Sequence, residues 1–465
     1  MHLFFEKNDL PMYNGGMKKF ILPKEVHNII EKLEVAGYEA YAVGGCVRDT
    51  LLGREPEDWD ITTQAMPEQV KSLFPRTVDT GIEHGTVTVL VGGQGFEVTT
   101  YRIDGEYEDA RHPTSVAYTR NLEEDLKRRD FTINAMAYSE SRGFVDLFGG
   151  LEDLEKKVIR CVGDARERFS EDALRILRGV RFAAQLGFAI APETKAGMSA
   201  LAENLKKISA ERIRVELVKL ITSDHPEMLE EAYRLGITKE FLPEFDILMK
   251  TEQETPHHRY NVGIHTLVSM EKIPNDKVLR LTMLLHDMGK PQYKTIDEAG
   301  RAHFKKHALG SEELAKNILR RLKFDNETRR QVVKLVCYHD YRMPATPKAV
   351  RRAVNKIGKD LFPLYLQVRR ADTLAQSEYR QKEKLENIQA VSAIFQEIKE
   401  RGECTEVQEL AVNGRDLLAL GVPPGKTVGE ELARLLDLVI ENPELNRKEH
   451  LLKEVKLLYN EEDKN

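Results

Sequence analysis

Gly44-Gly45-Cys46-Val47-Arg48-Asp49, followed shortly by Asp58-Trp59-Asp60-Ile61, is the stretch on which the reading of this chain turns. Side chains two apart on a strand share a face. A strand here would hold the carboxylates of Asp58 and Asp60 together and turn Trp59 and Ile61 to the core. Two anions held side by side repel, and a divalent cation with oxygen ligands, typically Mg²⁺, relieves the repulsion. The Gly-Gly turn lets backbone N–H groups approach a phosphate, and Arg48 adds positive charge there. The pattern therefore points to metal-assisted transfer from a nucleoside triphosphate. Taken alone, an exposed polar turn fits the same residues, so the flanking sequence has to decide.

Working outward, residues 40–43 form a short apolar strand that runs into the Gly-Gly turn. Before it, Val26, Ile29, Ile30 and Leu33 recur at helical spacing over 23–36, and Gly37 stops the helix. Residues 86–91 and 96–101 are rich in β-branched side chains and flank Gly92-Gly93-Gln94-Gly95, a hairpin signature. Residues 105–121 are polar, charged and broken by Pro113, which predicts a long loop. Beyond Leu151 the 3.6-residue period takes over, as in 173–186, 210–220, 312–322 and 430–440, and little after Val162 reads as strand.

Composition sets the frame. At 465 residues the chain exceeds one ordinary core, so roughly two to four domains are expected. A net charge of −6 means that an anionic partner must meet a local basic surface. Cys46, Cys161, Cys337 and Cys404 show no paired spacing, which fits reduced thiols. No apolar run approaches ~18 residues, and residues 1–20 lack signal-peptide features. The expectation is a cytoplasmic protein without a membrane span.

Three further stretches carry chemistry-bearing residues. Glu97 lies between Phe96 and Val98 in the second hairpin strand. A carboxylate there needs a partner or a metal, unless the strand is an edge facing water. Arg128-Arg129-Asp130-Phe131-Thr132 suits a triphosphate, and equally a solvated basic turn. In Glu171-Asp172-Ala173-Leu174-Arg175-Ile176-Leu177-Arg178-Gly179-Val180-Arg181-Phe182, a helix would set Asp172, Arg175, Arg178 and Arg181 in one row, with apolar residues behind. A salt-bridged surface face has the same pattern.

Taken in order, Gly44-Gly45-x-Val47-Arg48-Asp49, Asp58-x-Asp60, Glu97, Arg128-Arg129-Asp130 and Glu171-Asp172-x-x-Arg175 resemble the bacterial class II tRNA nucleotidyltransferases. These CCA-adding enzymes are akin to bacterial poly(A) polymerases and share a superfamily with DNA polymerase beta. The likeness is strong from Val43 to Phe188 and weaker to the end, where Val412-Asn413-Gly414-Arg415-Asp416 resembles the family's tail. The resemblance implies an α+β fold: a mixed, DNA polymerase beta-like nucleotidyltransferase head at 20–155, then an elongated all-helical remainder. That remainder would be a neck at 156–225, a body at 226–395 and a tail at 396–465. It further implies that Asp58 and Asp60 hold two Mg²⁺ ions, for a two-metal nucleotidyl transfer, with Glu97 completing the catalytic set. Gly45, Arg48 and Arg129 would hold the triphosphate and sugar, Asp172 and Arg175 would face the base, and Arg178 and Arg181 would assist nucleotide binding. The implied partners are CTP, ATP and the tRNA acceptor arm.

The body carries a second group, His265, His286-Asp287, His307, His339 and Asp372, which resembles the HD superfamily of metal-dependent phosphohydrolases. Mixed imidazole and carboxylate ligands suit a divalent transition metal, and Mg²⁺ or Mn²⁺ also fit; a retained helical scaffold without metal is the alternative. For the head, the rivals are a poly(A) polymerase, a CC-only or A-only enzyme, and a catalytically idle RNA-binding protein. The loop with Asp104, Tyr107, Asp109 and Arg111 speaks against a CC-only enzyme, because such family members lack part of it. The intact Asp58, Asp60 and Glu97 speak against an idle binder.

Overall fold

The computed structural model describes residues 20–105 and 116–459 and divides the chain at Pro243/Glu244 into two compact units. Residues 106–115, which include the loop positions Tyr107, Asp109 and Arg111, lie outside the described residues.

The first unit is built on a seven-stranded mixed sheet. Its strands are β1 (Ala40–Val43), β2 (Asp60–Thr63), β3 (Thr77–Gly81), β4 (Thr86–Val91) and β5 (Gln94–Thr100). After the short β6 (Arg102–Asp104) and β7 (Val116–Tyr118), which pair with each other, β8 (Met136–Ser139) and β9 (Gly143–Asp146) complete it, in the order β3-β4-β5-β2-β1-β8-β9. All neighbours run antiparallel except β2 and β5, whose parallel register sets Asp60 beside Glu97. The β4–β5 turn is Gly92-Gly93 with both φ angles positive, 60° and 84°, as a two-residue hairpin turn matching the sheet's twist requires. Helix Lys24–Val35 buries Val26, Ile29, Ile30 and Leu33, the spacing read from the sequence. Tyr41, Val43, Tyr101, Leu126, Ala137 and Val145 pack together around the central strands.

Three local expectations need correction. Strand β2 begins at Asp60, so Asp58 lies in the irregular approach to it, and Trp59 is half-buried while Ile61 is fully buried. The loop predicted at 105–121 is shorter on its C-terminal side, because Val116–Tyr118 forms β7 and pairs with β6 just before the loop. Asp172 does not belong to a helix: it sits extended (φ −136°, ψ 103°) between helices Ala165–Glu171 and Leu174–Leu186, so the expected helical row starts at Arg175.

The second unit is helical apart from the two-residue strands Thr295–Ile296 and Ala302–His303. Helices Val262–Glu271, Lys277–Leu285, His307–Arg321, Asn326–Tyr338 and Phe362–Ala375 surround its histidines. Nearer the C-terminus, Leu417, Leu435, Val439, Leu451 and Val455 form their own small core. Arg351 ties this core to the rest, donating to the carbonyl of Ile440 (2.8 Å) and pairing with Glu403 (2.7 Å). Among the described residues, no helix is long and apolar enough to cross a membrane.

Candidate active site and candidate metal centre

The sheet and the helix after Asp172 enclose a cavity of about 930 Å³ whose wall includes Gly44, Gly45, Arg48, Asp58, Asp60, Arg129, Asp172, Arg175, Arg178, Arg181 and Arg212. Glu97 is exposed beside Asp60 on the neighbouring strand but does not line this cavity. Loss of solvation raises the Asp60 carboxyl against the pull of Arg129, and Asp58 pushes the same way. Glu97 is raised by desolvation and then by Asp60 and Asp58. Oxygen-only donors with upward-shifted carboxyls fit a hard divalent cation, which would remove that penalty. Ligand atoms of these three residues do not fall within 4.8 Å of one another; among the described residues, only histidine–aspartate groups do.

The side of the cavity around the Gly-Gly turn is held by buried polar contacts. Gly44 has φ 85°, which calls for glycine, and a Cβ there would lie 2.9 Å from Arg129 Nη1 and push that guanidinium aside. Arg129 Nε is buried without a hydrogen-bond acceptor on the cavity wall, which fits an anionic ligand oxygen. Behind it, the fully buried Asp125 accepts from the Thr62 hydroxyl (3.0 Å), Arg128 Nη2 (2.8 Å) and the Arg102 N–H (3.4 Å), and lies 3.7 Å from Arg129. Arg48 donates to Asn134 Oδ1 (2.7 Å), Asn134 donates to Asp130 (3.1 Å), and Arg178 donates to Asp130 (2.7 Å). Burial opposes ionisation of Asp130, but Arg178 and Asn134 outweigh it and hold its carboxyl down at about 2. The ring of Phe182 lies under three guanidinium groups, with Arg181 at 3.9 Å, Arg48 at 5.0 Å and Arg178 at 5.4 Å from its centroid.

Asp172 and Arg175 share the cavity, and the Arg175 N–H donates to the Asp172 carbonyl (3.0 Å), while their side chains have other partners. Asp172 Oδ1 accepts from the Leu174 N–H (3.0 Å) and Oδ2 pairs with Arg212 (2.8 Å). Arg175 turns to Glu171 (2.7 Å) and to the carbonyl of Arg128 (3.0 Å), and Arg181 pairs with Glu216. Sequence reasoning missed Asp125, Asn134 and Arg212. Of these, only Asp125 left a signal, a carboxylate four residues before Arg129.

In the second unit, the six residues singled out from the sequence converge. Asp287 is 3.3 Å from His307 Nε2, 3.6 Å from His339 Nε2 and 3.2 Å from His286 Nε2. Asp372 is 3.1 Å from His265 Nε2. His286, His307 and His339 each direct Nδ1 at a backbone carbonyl three residues earlier, at 2.6, 2.8 and 2.7 Å. With that nitrogen as donor, each Nε2 is left as a lone pair. His307 and His339 then oppose Nε2 to Nε2 at 3.0 Å, and His265 and His286 at 3.4 Å. The facing lone pairs of His307 and His339 call for a proton or a metal ion between them, while His265 Nε2 also faces the Asp372 carboxylate, so the donor set fits a metal. Lys290, also missed from the sequence, is buried at 2.7 Å from Asp287. His258, whose ring abuts that of His265, is pushed down to about 2 by burial and then by Lys290.

Comparison with known proteins places this chain among similar sequences along nearly its whole length. A family model described as "Poly A polymerase head domain" matches residues 40–160, one described as "Probable RNA and SrmB- binding site of polymerase A" matches 187–249, and one described as "tRNA nucleotidyltransferase domain 2 putative" matches 302–455. A CCA-adding enzyme of Leuconostoc mesenteroides is 37% identical over 460 residues, covering 96% of this chain and 100% of that protein. One from Limosilactobacillus fermentum is 38% identical over 442 residues, covering 94% and 98%. The crystal structure of the Bacillus stearothermophilus CCA-adding enzyme in complex with CTP superposes with a TM-score of 0.71 at 31% identity, covering 96% of this chain and 100% of that one.

Proposed function

Because this chain belongs to the CCA-adding enzyme family of tRNA nucleotidyltransferases, we propose that it builds the 3′-terminal CCA of tRNA from CTP and ATP in the cytoplasm, without a nucleic-acid template. The observation that carries this reading is the single cavity that gathers the Gly-Gly turn, Asp58, Asp60, Arg129 and Asp172. In the reaction, the RNA 3′-oxygen bonds to the α-phosphorus of the incoming nucleotide, the bond from that phosphorus to the bridging oxygen breaks, and pyrophosphate leaves. We assign Asp58, Asp60 and Glu97 to Mg²⁺, which when bound neutralises charge between the triphosphate and the attacking oxygen. Arg129, Arg48 and Gly45 hold the triphosphate and sugar, and Arg178 and Arg181 support that wall.

Base choice follows from polarity. Cytosine and adenine both set an exocyclic amino donor beside a ring-nitrogen acceptor, which a carboxylate (Asp172) and a guanidinium (Arg175) match. Guanine and uracil reverse that order, at a cost of ~1–3 kcal/mol for each group left unmatched in a dry pocket. The neck, body and tail, taken as 156–225, 226–395 and 396–465, grip the acceptor arm mainly through phosphates, so binding weakens with salt. The test is labelled tRNA ending before CCA, after the first C, or after CC, offered CTP, ATP or both. Completion of all three supports the reading; addition of A alone to the CC-ended form would make this an A-only enzyme. Asp58→Ala and Asp60→Ala should each abolish addition while leaving tRNA binding nearly intact, and retained activity would remove these residues from the mechanism.

The opposed imidazole nitrogens favour a second reading for the other unit: His265, His286, Asp287, His307, His339 and Asp372 hold a divalent metal and hydrolyse a small phosphate ester. The purified protein should carry that metal and cleave 2′,3′-cyclic nucleotides. Absence of both metal uptake and hydrolysis under any common divalent ion would reduce the cluster to a scaffold.

A further inference from the structure

We propose that Arg212 is a positioning residue for base selection, fixing the carboxylate of Asp172 so that it accepts a hydrogen bond from one direction only. The inference rests on the reading of Asp172 as the group that meets the base.

Asp172 has no helix to hold it, since it sits in an extended link between two helices. Its carboxylate is instead pinned at both oxygens. Oδ1 takes the Leu174 N–H at 3.0 Å, and Oδ2 takes Arg212 Nη2 at 2.8 Å, with Nη1 3.5 Å from Oδ1. Arg212 projects from helix Ala210–Ile221, and one turn on, Glu216 of the same helix pairs with Arg181 of Leu174–Leu186. The Arg181–Glu216 pair holds the two helices against each other one turn from Arg212, and with them the placing of the Arg212 fork beside the Asp172 link. Arg212 and Asp172 line the same cavity, with side chains 25% and 17% exposed, so the pair is reachable by a ligand but not washed out by solvent. Arg175, the more obvious partner from the sequence, is directed to Glu171 and a backbone carbonyl.

The consequence for specificity is geometric. A carboxylate offers two oxygens with two lone-pair directions each. Three of these directions meet protein donors, which leaves a restricted set for the ligand. A carboxylate free to turn would follow whichever donor a base presents: the exocyclic amino group of cytosine or adenine, or the ring N–H of uracil or guanine. Held in place, it meets the amino group and misses the ring N–H. Arg212 thus raises the cost of the wrong base without touching the right one.

The test measures incorporation of CTP, ATP, UTP and GTP by the full-length protein on tRNA ending before CCA and after CC, with separate kcat and KM. Arg212→Ala should raise the UTP/CTP and GTP/ATP ratios of kcat/KM by about tenfold or more, the scale of one charge-assisted hydrogen bond. Arg212→Lys keeps the charge but loses the two-nitrogen fork, so it should fall in between and serves as the well-folded control. The double variant Asp172→Ala/Arg212→Ala should relax selection no further than Asp172→Ala alone, because Arg212 acts through Asp172. If Asp172→Ala relaxes selection while Arg212→Ala stays strict, the positioning role is wrong and the base-reading role stands. If Asp172→Ala itself stays strict, both fall. An unaltered preference with a uniform loss of kcat in Arg212→Ala would also overturn the proposal, since that is what a purely structural ion pair would give.

Discussion

Replacing Asp125 with alanine strikes at the group behind the arginines rather than at the cavity wall. Its carboxylate is fully buried, and the side chains of Arg128 and Arg129 are only 16% and 18% exposed, so their charges rely on it. Removing one partner of a buried ion pair costs about 3–5 kcal/mol, because the other charge is left uncompensated. The lost Thr62 hydroxyl bond adds about 1 kcal/mol. Water entering beside Arg128 offsets part of this, so a net loss of about 4 kcal/mol is expected for Asp125→Ala. Asp125→Asn keeps one acceptor oxygen, enough for either the Thr62 hydroxyl or the Arg102 N–H but not both, and should lose about half as much. Trp59 is the chain's one tryptophan and lies in the same unit, so its fluorescence during urea unfolding reads the effect locally. KM for the nucleotide should rise in both variants as Arg129 loses its anchor. A loss below about 1 kcal/mol for Asp125→Ala, or equal losses for Asn and Ala, would refute the reasoning, since both results mean that the arginines find other partners.

Other outcomes follow from the same contacts. Asp130, held down at about 2 against an ordinary 3.8, contributes stability that is fully present above 3.8 and is lost as pH falls through 2. The gap in stability between the native chain and Asp130→Asn should therefore be constant near neutrality and close between these two values; a gap unchanged at pH 2 would contradict the pairing with Arg178. Gly44→Ala should cost about 1–2 kcal/mol from the left-handed φ alone and should also weaken nucleotide binding by displacing Arg129, which nucleotide titration would detect. Paired His286→Ala and Asp287→Ala changes should strip metal from the purified protein and leave CTP and ATP addition intact; loss of addition would mean that the two sites are linked.

The sequence disclosed elements whose signal is local. The helix over Lys24–Val35 and the Gly92-Gly93 hairpin follow from periodicity and turn chemistry within a few residues. The parallel pairing of β2 with β5 is not local and left no signature, so nothing in the sequence by itself set Asp60 beside Glu97. Trp59 read as core because strict alternation was assumed to start at Asp58, whereas the strand starts at Asp60. Asp172 read as helical because its spacing to Arg175 and Arg178 is helical. Its side chain instead accepts the Leu174 N–H, competing with the helix for the backbone as short carboxylates do. The six metal-type residues were found by family pattern, yet the opposition of their Nε2 atoms depends on four separate helix ends meeting, which spacing cannot express.

The register of β2 against β5 also says where this chain tolerates changes of length. Asp60 and Glu97 are register partners, and the chain leaves the β2–β5 ladder after Thr63 and rejoins it at Glu97. Residues grafted into the Gly92-Gly93 turn would lengthen an exposed loop and leave the two carboxylates opposite each other. One residue inserted within Asp60–Thr63 would instead reverse the faces of the positions behind it, because a single-step slip exchanges the two sides of a strand. The Asp60–Glu97 pairing is therefore indifferent to the length of the Gly92-Gly93 turn and intolerant of any shift within its strands, which makes that turn the natural place to attach a probe or a foreign segment.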